Sequence, residues 1–95
     1  MGWSVVYSRQ AEKQRNKLPV RIQGILDALI VDIRAVGPIR GNWPNYSNYS
    51  KLPGGGHHCH LKKGRPTYVA VWREGSDGIK LVEITYVGTH EKAPY

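Results

Sequence analysis

The segment "GGGHHCHLKKGRP", Gly54 to Pro66, packs His57, His58, Cys59 and His60 into four positions and follows them with Lys62, Lys63 and Arg65. These residue types can ligate a metal, bind phosphate or transfer protons. Metal ligation suits the spacing poorly. In an extended strand adjacent side chains point to opposite faces, so at most His58 and His60 chelate together, and a site needs a third or fourth ligand. The chain has no CxxC or HExxH and no carboxylate near this segment. No metal site and no cofactor are expected. Phosphate binding fits better, because Lys62, Lys63 and Arg65 around a tight turn can neutralise a backbone phosphate, Arg65 bidentately. Phosphate binding alone does not call for imidazoles, whereas breaking RNA without a metal does. A base must take the 2′-hydroxyl proton, an acid must protonate the leaving 5′-oxygen, and cations must hold the charge that builds on the phosphate. Histidine titrates near neutrality and suits both transfers. His60 and His90, with Lys62, Arg65 and Tyr95, form the candidate catalytic set. Each residue alone reads as ordinary surface, so the grouping carries the inference.

The charge distribution points the same way. The 95-residue chain has a net charge of +7, which predicts an acidic partner such as nucleic acid, an anionic membrane or an acidic protein. Between Asp32 and Glu74 there is no acidic residue, yet seven Lys and Arg residues fall there, with Trp43, Tyr46 and Tyr49 interleaved. Arg40, Trp43, Tyr46, Lys51, His58, Lys63 and Arg73 are the candidate RNA-binding residues, with cations tracking phosphates and rings stacking bases. The single cysteine, Cys59, rules out an internal disulfide and suits a reducing cytoplasm. No apolar run reads as a signal peptide or membrane span, so a soluble cytoplasmic protein without membrane contact is expected.

The elements that must position these residues fit one small domain spanning residues 1–95. "WSVVY", Trp3 to Tyr7, reads as a first strand. Ser8 suits the N-cap of a short polar helix, and Pro19 the first turn of a second. In the second helix Ile22, Ile25, Leu26, Leu29, Ile30, Ile33 and Val36 recur at offsets of three and four, and Gly37-Pro38 ends it. "IRGNWPNYSNYSKLPGGG" has the composition of a long connection. Three strands follow, "HHCHLK", "TYVAVWR" and "IKLVEITYV", joined by the turns "KGRP" and "EGSDG" into an antiparallel meander. The expected order is β-α-α-β-β-β, an α+β fold with two helices on one face of a mostly antiparallel sheet. Alternation then puts Cys59 and Leu61 on the core face and His58, His60 and Lys62 on the other. In the last strand it puts Val82, Ile84 and Tyr86 on one face and Glu83, Thr85 and Val87 on the other.

Taken together, the opening strand, the helical hairpin "SRQAEKQRNKLPVRIQGILDALIVDI", the basic strand "HHCHLKKGRPTYVAVW" and the ending "YVGTHEKAPY" resemble the RelE/ParE superfamily of bacterial toxins over essentially the whole chain. The resemblance to the RelE branch implies a metal-independent endoribonuclease that cuts mRNA, commonly on the ribosome, and is neutralised by a cognate antitoxin. It implies that His60 and Lys62 are the paired basic residues of the second strand. Arg65 lies near the family's phosphate-holding arginine, whose own place Thr67 takes here. His90 matches the basic residue after the last strand, and Tyr95 the tyrosine that orients the substrate, with Glu91 either an assisting base or a surface glutamate. The oligomeric state stays open between monomer and weak dimer. Two other readings remain: a ParE-like gyrase inhibitor, and a non-catalytic RNA-binding module.

Overall fold

The computed structural model describes residues 2–49, 56–75 and 80–95. Strand β1 (Ser4–Tyr7) leads into helix α1 (Arg9–Lys17) and helix α2 (Val20–Val36). Ser8 caps α1 as expected, its hydroxyl accepting the Ala11 amide at 3.0 Å. Pro19 sits one place earlier than expected, at the N-cap of α2. The apolar stripe of α2 is the core element its spacing predicts: Ile22, Leu26, Leu29, Ile30 and Ile33 are buried. Val36, on the last turn, is exposed instead. The helix stops at Gly37, whose φ of +100° is a conformation that favours glycine. A side chain there would also strike the Trp3 indole, 2.9 Å from the place of a Cβ.

Strands β2 (Ser47–Tyr49), β3 (Gly56–Lys62), β4 (Tyr68–Glu74) and β5 (Leu81–Thr89) complete one sheet in the order β1-β5-β4-β3-β2. The β1–β5 pair is parallel and the others are antiparallel. Strand β2 corrects the sequence reading, which placed it within a long loop. Its three residues pair with His58, His57 and Gly56 at the edge of the sheet. The α+β class, the two helices and the meander stand as expected. No helix among the described residues is long and apolar enough to cross a membrane.

The two faces of the sheet carry different burdens. On one, Cys59, Leu61, Ala70, Trp72, Val82, Ile84 and Val87 pack under the helices. On the other, Val69, Val71 and Tyr86 form a smaller cluster under Ala93 and Tyr95. Two bulges interrupt the alternation between them. In β5 the partner of Val71 is Tyr86 and that of Trp72 is Ile84, which leaves Thr85 as the extra residue. Tyr86 therefore faces away from the helices and Val87 faces them, the reverse of strict alternation. In β3 a second register shift falls between His60 and Lys62.

Candidate active site

The open face of the sheet gathers three imidazoles and a phenol. His58 and His60 reach it from β3, their ring centroids 6.2 Å apart. After β5 a short 3-10 turn (His90–Lys92) brings His90 across, its centroid 5.4 Å from that of His60. The segment beyond the turn folds back over Val69, Val71 and Tyr86 and sets Tyr95 against His58 at 4.3 Å and His90 at 5.9 Å. Backbone bonds fix both ends of the His60–His90 pair. The His60 amide donates to the Pro44 carbonyl at 2.8 Å, and the His90 amide to the Thr67 carbonyl at 2.8 Å.

Electrostatics at this cluster favour neutral imidazole on β3. Burial pushes the proton affinity of His58 below its usual value, and the neighbouring His60 and His90 add to the effect. His60 is lowered by burial first, then by the charges of His90 and Lys63. Its Nδ1 is enclosed and has no hydrogen-bond partner among the described residues. Arg65 is exposed in the turn after β3, where Gly64 to Thr67 and Thr89 to Glu91 line a pocket of about 400 Å³ shared with His90. Arg65, His90 and Glu91 thus border one space.

Other expected positions separate from this cluster. Lys62 does not continue the row of His58 and His60, because the bulge pairs it with Tyr68, which packs against the helix-side core. Trp43 and Tyr46 also pack on the helix side, where Tyr46 stacks on His57, so their rings do not lie over the open-face imidazoles. The Trp43 indole donates to Asp32 at 2.8 Å, and Asn42 donates to the same carboxylate at 3.2 Å. These bonds hold the Asp32 carboxyl below the usual range. Arg40 joins the same network at 3.9 Å from Asp32, its side chain mostly covered. Arg73 is on the open face but pairs with Glu83 at 2.8 Å. Arg40, Trp43 and Tyr46 thus anchor the loop to Asp32 of α2 and His57 of β3. Lys51 lies outside the described residues.

His57 and Cys59 face the helices. Burial pushes the Cys59 thiol up to about 12, so it is an inert apolar side chain at neutral pH. Tyr86, which strand alternation places on the face of Val82 and Ile84, lies instead on the open face beside the His90 turn. Its hydroxyl donates to the Thr89 carbonyl at 2.7 Å, directly before His90, and a Cβ at Gly88 would lie 2.7 Å from the Tyr86 hydroxyl oxygen. The signal that hides it is the β5 bulge, which no special residue type announces.

No family model and no curated protein matches the chain. Among solved structures it is similar to a chain in the crystal structure of the toxin–antitoxin complex RelBE2 from Mycobacterium tuberculosis. The two align with a TM-score of 0.62 and 23% identity, over 95% of this chain and 93% of that one. The chain therefore has the RelE-like α+β fold.

Proposed function

We propose that this chain is a RelE-type toxin, a metal-independent endoribonuclease that cuts mRNA and blocks translation in the cytoplasm. The observation that carries the reading is the His60–His90 pair, 5.4 Å apart on an open, basic face beside Tyr95 and the Arg65 turn. The shared fold supports it, and supports a cognate antitoxin as partner, since the similar structure is a toxin–antitoxin complex.

In the proposed reaction His60 takes the proton of a ribose 2′-hydroxyl, and the 2′-oxygen attacks the adjacent phosphorus. The bond from phosphorus to the 5′-oxygen breaks, and His90 protonates the leaving oxygen. The products are a 2′,3′-cyclic phosphate and a 5′-hydroxyl end. His60 is given the base role because its partial burial and cationic neighbours favour the neutral form a base requires. His90, exposed beside Arg65 at the pocket, is left the acid role. Arg65 holds charge on the phosphate, and Tyr95, already against His58 and His90, positions the substrate. The A site of the ribosome is the proposed setting.

The test is induced expression in bacteria with mapping of RNA 5′ ends, beside a His60→Ala, His90→Ala variant. New 5′-hydroxyl ends inside coding regions, absent with the variant, are expected. Growth arrest with intact mRNA and damaged DNA would replace this reading with gyrase inhibition.

A further inference from the structure

The bulge in β3 changes which lysine stands beside the imidazoles. Pairing runs Cys59 with Ala70 and His60 with Val69, then jumps to Lys62 with Tyr68, leaving Leu61 as the extra residue. Residues opposite one another in a ladder place their side chains on the same face. Val69 belongs to the open-face cluster, so His60 points there. Tyr68 packs against the helix-side core, and Leu61 is buried in it. Lys62 is thereby turned toward the helix side along with Leu61. Lys63, the next residue and exposed, is turned by alternation to the side opposite Lys62, that of His60. The electrostatics agree, since Lys63 is the lysine whose charge acts on His60.

We infer that Lys63, rather than Lys62, is the lysine that meets the substrate phosphate beside His60. The inference rests on the ribonuclease reading and deepens it by exchanging the roles the sequence assigns to the two lysines. One ammonium then serves two ends. It attracts the phosphate being cleaved, and it adds to burial and His90 in favouring the neutral His60 that can accept the 2′-hydroxyl proton. Lys62, one residue earlier, belongs to the other face and has neither task.

Two measurements on Lys62→Gln and Lys63→Gln separate this inference from the reading beneath it. The first follows the His60 ring signal through a pH titration by NMR, with no ligand present. Lys63→Gln should raise the proton affinity of His60, and Lys62→Gln should leave it in place. The second follows cleavage of an mRNA in a translating extract as a function of pH. Lys63→Gln should slow cleavage about tenfold to a hundredfold, the scale of one charge-assisted hydrogen bond. It should also move the acid limb of the profile to higher pH, while Lys62→Gln keeps near-normal rates. A His60 signal that responds to Lys62→Gln and not to Lys63→Gln overturns the inference, as do equal losses of cleavage in both. Absence of cleavage by the unaltered protein overturns the ribonuclease reading and the substrate role of Lys63 with it, while the ligand-free titration still decides where Lys63 sits.

Discussion

His57 and His60 stand three residues apart on β3, on opposite faces of one sheet, and differ in how their ring nitrogens are employed. His57 is buried under the helices with both nitrogens bonded, Nδ1 to the Tyr46 hydroxyl at 2.6 Å and Nε2 to the Glu74 carboxylate at 3.0 Å. Its ring lies nearly parallel to that of Trp72, with centroids 5.8 Å apart. With the Glu74 carboxylate at Nε2 and the Tyr46 hydroxyl at Nδ1, both ring nitrogens have partners within the fold. His60 has an enclosed Nδ1 without a partner among the described residues, a second imidazole close by and a lysine acting on its charge. A histidine whose bonds are all made inside the protein fastens parts together. One held near other titratable groups with capacity to spare can do chemistry. Residue type and spacing alone do not distinguish the two.

The largest effect that tests this contrast is catalytic. His60→Ala and His90→Ala should each lower RNA cleavage by roughly a hundredfold to ten-thousandfold. His57→Gln should leave cleavage unchanged while lowering the urea midpoint. Equal loss of activity in all three would erase the distinction between the faces. Next in size is Trp72→Ala, which removes a fully buried ring, its stack on His57 and its 3.0 Å bond to the Pro38 carbonyl. It should cost about 3–5 kcal/mol in equilibrium unfolding. Glu74→Gln, which takes the carboxylate from His57, should cost about 1–2 kcal/mol with no change in cleavage. A change in cleavage without a stability change would make the helix-side cluster part of the site.

The smallest effect is a dependence of stability on pH. Burial makes His58 and His60 bind protons less tightly in the folded protein than in the unfolded chain. As pH falls through the ordinary histidine value near 6.5, the unfolded chain takes up more protons. Stability that is complete at neutral pH therefore erodes on acidification, until the folded protein's own lower values are passed. Melting temperatures at neutral pH and at about pH 5 should show the loss, and His58→Gln should reduce it. An unchanged slope in His58→Gln would mean that its burial carries no proton linkage.

Much of this architecture is legible in the sequence, because helix periodicity, the Ser8 cap and the turn residues each report local physics. The four-residue run His57 to His60 also divides between two faces as alternation requires. What escaped was set by pairing rather than by side-chain pattern. Strand β2 is three residues long and lies in a Gly-, Asn- and Pro-rich stretch, and its partner on β3 is what makes it a strand. The bulges at Leu61 and Thr85 need no special residue, yet each reverses the faces beyond it, misplacing Lys62 in one strand and Tyr86 in the other. The packing of Trp43 and Tyr46 is hidden from the sequence for another reason. Aromatic rings suit a stacking surface and a core equally, and Asp32, eleven residues before Trp43, decides between them by accepting its indole N–H.

The pairing of β1 with β5 carries a consequence for how the protein forms. Ser4 lies opposite Leu81, so the first strand finds its partner only after most of the described chain has been traversed. Contacts this distant in sequence must close a large loop before they return any stabilisation, and mixed folds built on them assemble more slowly than helical bundles. Strand β5 also leads directly into the turn that carries His90. A fragment lacking β5 has neither a partner for β1 nor the second imidazole. Assembly of the sheet and of the proposed site therefore depends on the same strand.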